Sequence, residues 1–284
     1  MNVLELTKQA VAKATLTRLT NGLPLNTPIC PVDLAVKLDL EVRYVACNSF
    51  EGIYQKDAAI VIGSKRPITR QNYTCAHELG HHVFGHGTKM DEYIEGNDKS
   101  KYEDPEERLA QSFAGHLLMP EALIRRTLNE RNINAVNLTK KNIYEISCYF
   151  GVGYQTLLMH LQYGCSIISN DKRLQLTPSS LSEVRAEFGV STPNKPLIFV
   201  DRQWTDRPID TEVGDLIVCP SDFEVEGMNL IATGSTASLK GYEAVTPGMS
   251  RMYCNRGEWA AFCRTRKKHF EGRAVYRHME EVEE

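Results

Sequence analysis

Eight cysteines are scattered through 284 residues without a single Cys-x-x-Cys pair. That spacing excludes a zinc ribbon, gives no disulfide framework and fits a reducing cytoplasm. No uninterrupted apolar run exceeds five residues, far short of what a membrane-spanning helix needs. Neither sign of charge dominates, and a net charge of −3 gives no global drive toward nucleic acid. No internal repeat and no low-complexity linker is present. The N-terminus has no signal-peptide core, because Glu5, Lys8 and Lys13 interrupt it, and it reads as an amphipathic helix. A hydrophobic content of 42% with 24% charged residues is enough to build globular cores, and the length suggests about two domains.

What stands out against this ordinary background is Thr74-Cys75-Ala76-His77-Glu78-Leu79-Gly80-His81-His82. It contains His-Glu-x-x-His. Residues four apart share a helix face, so His77 and His81 can present both imidazoles to one metal ion. Glu78, one step round the helix, can reach a water at that metal. Two neutral imidazoles and an adjacent carboxylate are the minimum for a hydrolytic zinc site. In that chemistry Glu78 is the general base. Tyr73, Tyr93, Tyr102 and His116 are candidate donors to the oxyanion, with nothing in the sequence to choose among them.

A third protein ligand is required. A histidine in the longer pattern His-Glu-x-x-His-x-x-Gly-x-x-His is excluded, because Phe84 and Gly87 occupy the glycine and histidine positions and His86 is one residue out of register. The other solution is a carboxylate on a later helix. Asp104 and Pro105 signal a helix start and Pro120 a stop. Between them, Leu109, Ala110, Phe113, Ala114, Leu117 and Leu118 form an apolar face able to pack on the first helix. Glu106 and Glu107 both lie near that face. Either also fits a solvated first-turn acid favoured by the helix dipole. His82 and His86 are read as non-ligands, and Cys75 as a small buried hydrophobe. His116 fits a supporting role beside the metal ligands, or a plain core or surface histidine.

His-Glu-Leu-Gly-His followed by Glu107-x-x-Ala110-x-x-Phe113-Ala114-x-x-Leu117-Leu118-Met119-Pro120 resembles the ImmA/IrrE family of metallo-endopeptidases. Upstream, Pro31-Val32-Asp33-Leu34, the segment Glu41 to Val45, Gly52 and Ala59-Ile60-Val61-Ile62 are similar to that family in their order. The resemblance covers roughly residues 28–165. It implies Glu107 as the third zinc ligand. One departure is Gln111, where the family usually has asparagine; an amide is retained. The resemblance also implies a narrow substrate, a helix-turn-helix repressor cut so that mobile-element or stress genes are released.

The expected architecture is α+β: a zincin-like metallopeptidase domain over residues 1–120, a helical, helix-turn-helix-like segment over 121–166, and a strand-rich C-terminal domain of unassigned role over 167–284. Helices are expected at 3–19, from Pro31, at about 69–85 and about 105–118, with strands near 41–46, 52–56 and 58–62 and a polar loop through Gly96-Asn97-Asp98. Later strand candidates are 197–200, 215–218 and 230–232.

Residues 143–158 have the form of a helix-turn-helix, but the second helix, Tyr154 to Tyr163, contains no lysine or arginine for phosphate contacts, so DNA reading is not favoured. Arg264, Arg266, Lys267, Lys268, Arg273 and Arg277, with Trp259, Phe262 and Phe270 nearby, form a basic tract that fits nucleic acid, an acidic partner or, more often, a solvated face offset by the tail Glu280-Glu281-Val282-Glu283-Glu284. The favoured function is a cytoplasmic zinc-dependent endopeptidase acting on a protein substrate. The alternatives are a non-enzymatic regulator binding DNA or a partner, and the protease half of a toxin–antitoxin pair.

Overall fold

The structure is a computed structural model describing residues 2–92, 104–190, 195–205, 207–254 and 257–279. Helix α1 (Val3–Thr20) begins at Asn2, whose side chain accepts the Leu4 N–H, and buries the stripe Leu6, Ala10, Ala14 and Thr17. Its last turn also buries Arg18, which donates to the Leu117 carbonyl at 2.7 Å and to the carbonyls of Pro24 and Thr27. A guanidinium with no water around it is tolerated because backbone oxygens replace that water. Helix α2 (Pro31–Lys37) follows with Pro31 in its first turn.

Strands β1 (Glu41–Val45), β2 (Phe50–Gln55) and β3 (Ala59–Gly63) alternate as a half-buried sheet requires. Val42, Tyr44, Ile60 and Ile62 face the core. β1 and β3 run parallel, β2 is antiparallel to β3, and β4 (Lys89–Glu92) adds to the β2 edge. Helix α3 (Ile68–Phe84) lies against this sheet and ends at Gly85, left-handed at φ 71°. Helix α4 (Pro105–Leu118) packs on both α1 and α3. The apolar residues expected on its face, Leu109, Ala110, Phe113, Ala114, Leu117 and Leu118, are all buried; each of the large ones contributes about 1.5–3 kcal/mol. The expected loop at Gly96-Asn97-Asp98 lies outside the described residues.

Helices α5 (Glu121–Glu130), α6 (Lys140–Phe150) and α7 (Tyr154–Met159) follow. α6 starts with a capping box between Thr139 and Asn142 and stops at Gly151, φ 66°. α7 runs directly into a π-helical turn, His160–Gly164. Two short helices, α8 (Asn170–Leu176) and α9 (Leu181–Ala186), precede the C-terminal strands. Those strands are β5 (Leu197–Phe199), β6 (Ile209–Glu212), β7 (Leu216–Pro220), β8 (Phe223–Glu226), β9 (Leu230–Ser235), β10 (Leu239–Ala244), β11 (Gly248–Cys254) and β12 (Ala260–Arg266). They form two four-stranded sheets, ordered β5-β7-β10-β9 and β6-β12-β11-β8.

β13 (Gly272–Arg273) belongs to neither. It pairs antiparallel with β1 and completes the first sheet as β13-β1-β3-β2-β4. The chain therefore returns to its N-terminal part, and side chains reinforce the return. Arg266, buried on β12, donates to Gln71 of α3 and to Glu212, each at 2.7 Å, and its guanidinium lies 4.9 Å above the Tyr44 ring. Arg264 pairs with Asp210 at 2.6 Å and reaches Asp33 of α2; Arg277 pairs with Asp33 at 2.6 Å.

Candidate metal centre

Helix α3 places His77 and His81 one turn apart on a wholly buried stretch running from Thr74 to His81. Helix α4 supplies Glu107 from its first turn, where the Asp104 side chain caps the helix by accepting the Glu106 N–H at 2.9 Å. The two helices approach closely because Gly80 lies against Ala110: a Cβ on residue 80 would come within 2.8 Å of the Ala110 Cα. That approach brings Glu107 to the histidines. His77 Nε2 and His81 Nε2 are 3.1 Å apart, Glu107 Oε2 is 3.2 Å from His77 Nε2, and Glu107 Oε1 is 3.4 Å from His81 Nε2.

These separations fit a metal. Zinc–nitrogen and zinc–oxygen distances near 2.05 Å and a tetrahedral angle put ligand atoms about 3.3 Å apart. Two imidazoles and one carboxylate are also a zinc-type donor set with one position left for water or substrate. Burial pushes the Glu107 carboxyl up, but hydrogen bonds from His77 and His81 outweigh it and hold the group well below the usual carboxylate range. The carboxylate is therefore in the charged form a cation needs.

The other nitrogen of His81 is occupied as well. His86 Nδ1 lies 2.8 Å from His81 Nδ1, and the His86 N–H donates to the His81 carbonyl at 3.0 Å. Burial, followed by the neighbouring His81, lowers the pKa of His86. A neutral His86 can fix the His81 ring so that Nε2 faces Glu107. Sequence reading found no role for His86. Its position after the left-handed Gly85, where the chain folds back on the helix, was the available signal.

Glu78 is fully buried on the sheet side of α3. Strand β2 meets it at Gly52, where a Cβ would lie 2.3 Å from Glu78 Oε1 and 2.5 Å from Thr74 Cγ2. The strand thus comes closer to the carboxylate than any side chain at position 52 permits.

The remaining candidates are placed as follows. Glu106 pairs with Lys89 at 2.7 Å and is the solvated first-turn acid of the pair. His82 turns away, with Nδ1 3.1 Å from the Tyr54 hydroxyl. Cys75 is buried, and burial raises its thiol pKa well above the usual value. Tyr73, one turn before His77, donates its hydroxyl to the Gln111 carbonyl at 3.2 Å. Gln111 itself lines a cavity of 520 Å³. Tyr93 and Tyr102 lie outside the described residues.

The structure does not bring His116 to the cluster. It lies nine residues beyond Glu107 on α4, about 13.5 Å along the axis, with its ring 4.7 Å from that of His160. The basic tract is a solvated face only in part: Lys267, Lys268 and Arg273 are exposed, Arg273 lying 3.5 Å from Glu41, whereas Arg264, Arg266 and Arg277 are held by Asp33, Asp210 and Glu212. The acidic tail expected to offset the tract lies outside the described residues. On α7, Gln155 and Thr156 line the same 520 Å³ cavity.

Residues 39–162 match the family model described as the IrrE N-terminal-like domain, Peptidase_M78. That span includes β1 to β3, α3, α4 and the whole donor cluster. No curated protein matches the chain.

Proposed function

We propose that this chain, which belongs to the ImmA/IrrE family and carries its metallopeptidase domain over residues 39–162, is a zinc-dependent endopeptidase that cuts one peptide bond in a specific intracellular protein, a helix-turn-helix repressor. The single observation that carries the peptidase reading is the convergence of donor atoms from His77, His81 and Glu107 within 4.8 Å of one another, with Glu78 buried directly beside His77. In this reading residues 1–120 are the zincin-like catalytic unit, 121–166 the helical segment and 167–284 a C-terminal part that grips the catalytic helix through Arg266 and Gln71.

His77, His81 and Glu107 would hold the zinc ion. When bound, zinc polarises a carbonyl as a Lewis acid and brings the acidity of a water to near neutral, a pKa of about 7. Glu78 takes the proton of the attacking water and returns it to the leaving amine. Its burial excludes bulk water from the carboxylate, and Gly52 fixes how far it can move toward the sheet. His86 holds the His81 ring through Nδ1, leaving Nε2 for the metal.

The test is Glu78→Gln, which keeps size and removes the base. The expected variant is folded, zinc-loaded and inactive against a candidate helix-turn-helix repressor, taken from a neighbouring reading frame where one encodes such a protein. Cleavage at the wild-type rate would overturn the mechanism. Failure of the wild type to cut that protein would remove the repressor assignment and leave the metal assignment to be judged by zinc content alone.

A further inference from the structure

A second group of metal-type donors lies at the other end of α4. His116 near its C-terminus, His160 at the start of the π-helical turn and Cys165 just after that turn bring one ligand atom each within 4.8 Å of one another. Cys165 Sγ is 3.4 Å from His160 Nε2. A tetrahedral zinc with Zn–S near 2.3 Å and Zn–N near 2.05 Å puts sulfur and nitrogen about 3.5 Å apart. The His116 and His160 rings meet edge to face at 4.7 Å between centroids.

The surroundings are shaped around His160. Two glycines make room for its ring: a Cβ at Gly115 would lie 2.8 Å from His160 Nδ1, and a Cβ at Gly164 would lie 2.3 Å from it. Gly115 directly precedes His116 and Gly164 directly precedes Cys165, so each of the other two donors follows a residue that admits the first. The π-helical turn has its own consequence. Its wider ring lets the Cys165 N–H bond the His160 carbonyl at 2.9 Å, five residues back, and this returns the thiol to the imidazole. A regular α-helix would carry residue 165 well past that position. Such turns are frequent at functional sites.

We propose that His116, His160 and Cys165 form a second metal site, distinct from the His77–His81–Glu107 centre, that takes a borderline-soft divalent cation of the zinc type. Two imidazoles and a thiolate exclude magnesium and calcium, which select oxygen donors. The Met119 carbonyl oxygen, 2.9 Å from His160 Nε2, accepts that N–H when no metal is bound. For Nε2 to ligate an ion, that bond must break: the ring proton moves to Nδ1 and the carbonyl turns out of the lone-pair direction that it now faces. Binding releases the thiol proton to solvent. The site would staple the end of α4 to the turn after α7, along one wall of the 520 Å³ cavity that His116 and His160 both line.

The thiolate makes the site separable from the peptidase centre, which has no sulfur ligand. Full-length protein is stripped of metal and titrated with Co²⁺ alone. The expected result is a near-ultraviolet sulfur-to-cobalt charge-transfer band in the wild type. It should persist in His81→Ala and vanish in Cys165→Ser and in His116→Gln. Zinc content of these last two variants should fall from about two ions per chain to about one. Circular dichroism confirms that each variant is folded, and Cys165→Ala replaces Cys165→Ser if it is not. No band in the wild type, or a band unchanged by Cys165→Ser, overturns the proposal. A band lost in His81→Ala as well places the sulfur at the peptidase centre and also overturns it. Failure of the peptidase reading leaves every one of these results readable, since none depends on turnover.

Discussion

Gly52 and Glu78 are in contact closer than any other residue type at position 52 allows: a Cβ there would stand 2.3 Å from the Glu78 carboxylate. The strand, not only the helix, therefore decides where the proposed base sits. Gly52→Ala is expected to displace the carboxylate without touching His77, His81 or Glu107. Peptidase activity should drop by about 10²-fold or more, the usual worth of a positioned general base, while zinc content stays at the wild-type level. Parallel metal analysis and cleavage assays check this. Full activity in the alanine variant would show that Glu78 has room the packing denies it.

Gly80 sets the helix spacing in the same way. Its Cα hydrogen faces Ala110 so closely that a methyl would come within 2.8 Å of the Ala110 Cα, which is backbone and cannot swing aside. Gly80→Ala should push α4 away from α3 and carry Glu107 out of reach of the two imidazoles. Overpacking of this kind costs about 1–3 kcal/mol, which corresponds to roughly 5- to 150-fold in zinc dissociation constant if it is relieved by separating the helices. A competition titration against a chelator measures the change. Glu107→Gln should show a loss at least as large, whereas Glu106→Gln, whose carboxylate is committed to Lys89, should leave affinity unchanged.

A third expectation concerns pH. Asp215 accepts the Glu212 N–H at 2.8 Å, and burial pushes its carboxyl up to about 7. An unfolded aspartate titrates near 3.9. Between about pH 4 and pH 7 the folded chain thus keeps a proton that the unfolded chain has released, so stability falls as pH rises through this window and the loss is complete above it. At about 1.36 kcal/mol per tenfold change in proton affinity, the loss is on the order of 4 kcal/mol. Asp215→Asn keeps an acceptor for the Glu212 N–H and removes the ionisation. It should match the wild type near pH 4 and exceed it in urea midpoint near pH 8. Equal midpoints at the higher pH would mean that Arg266 already compensates the charge.

Much of this was legible in the sequence because local patterns encode it. The spacing of His77 and His81, the cap at Asp104–Pro105 and the apolar face of α4 predict two packed helices, and α3 and α4 are found at Ile68–Phe84 and Pro105–Leu118. What was not legible depends on contacts between distant segments. Nothing near Gly272 announces a strand that pairs with β1, and the two-residue β13 is too short for any periodicity. The charges of Arg264, Arg266 and Arg277 read as a surface tract because their partners Asp33, Asp210 and Glu212 lie far away in sequence. The proximity of His86 to His81 and of Gly52 to Glu78 likewise appears only once the chain has turned back on itself.

Those internal ion pairs bear on nucleic acid. With all six cations of the tract free to meet phosphates, affinity would fall by about three decades between 50 and 200 mM salt. Arg264, Arg266 and Arg277 are instead tied to carboxylates, and Arg273 lies beside Glu41. With the buried arginines committed to carboxylates, the fall over the same range should be much smaller than three decades. Helix α7 adds no cation, and its Gln155 and Thr156 border the cavity that also reaches α1 and α3. The chain should therefore bind operator and scrambled DNA equally weakly, with a shallow salt dependence. Titration of both duplexes at the two salt concentrations measures this. Tight, operator-selective binding that survives the higher salt and is lost in Gln155→Ala would mean that α7 leaves the cavity to read bases, and it would favour a DNA-binding regulator over a peptidase acting alone.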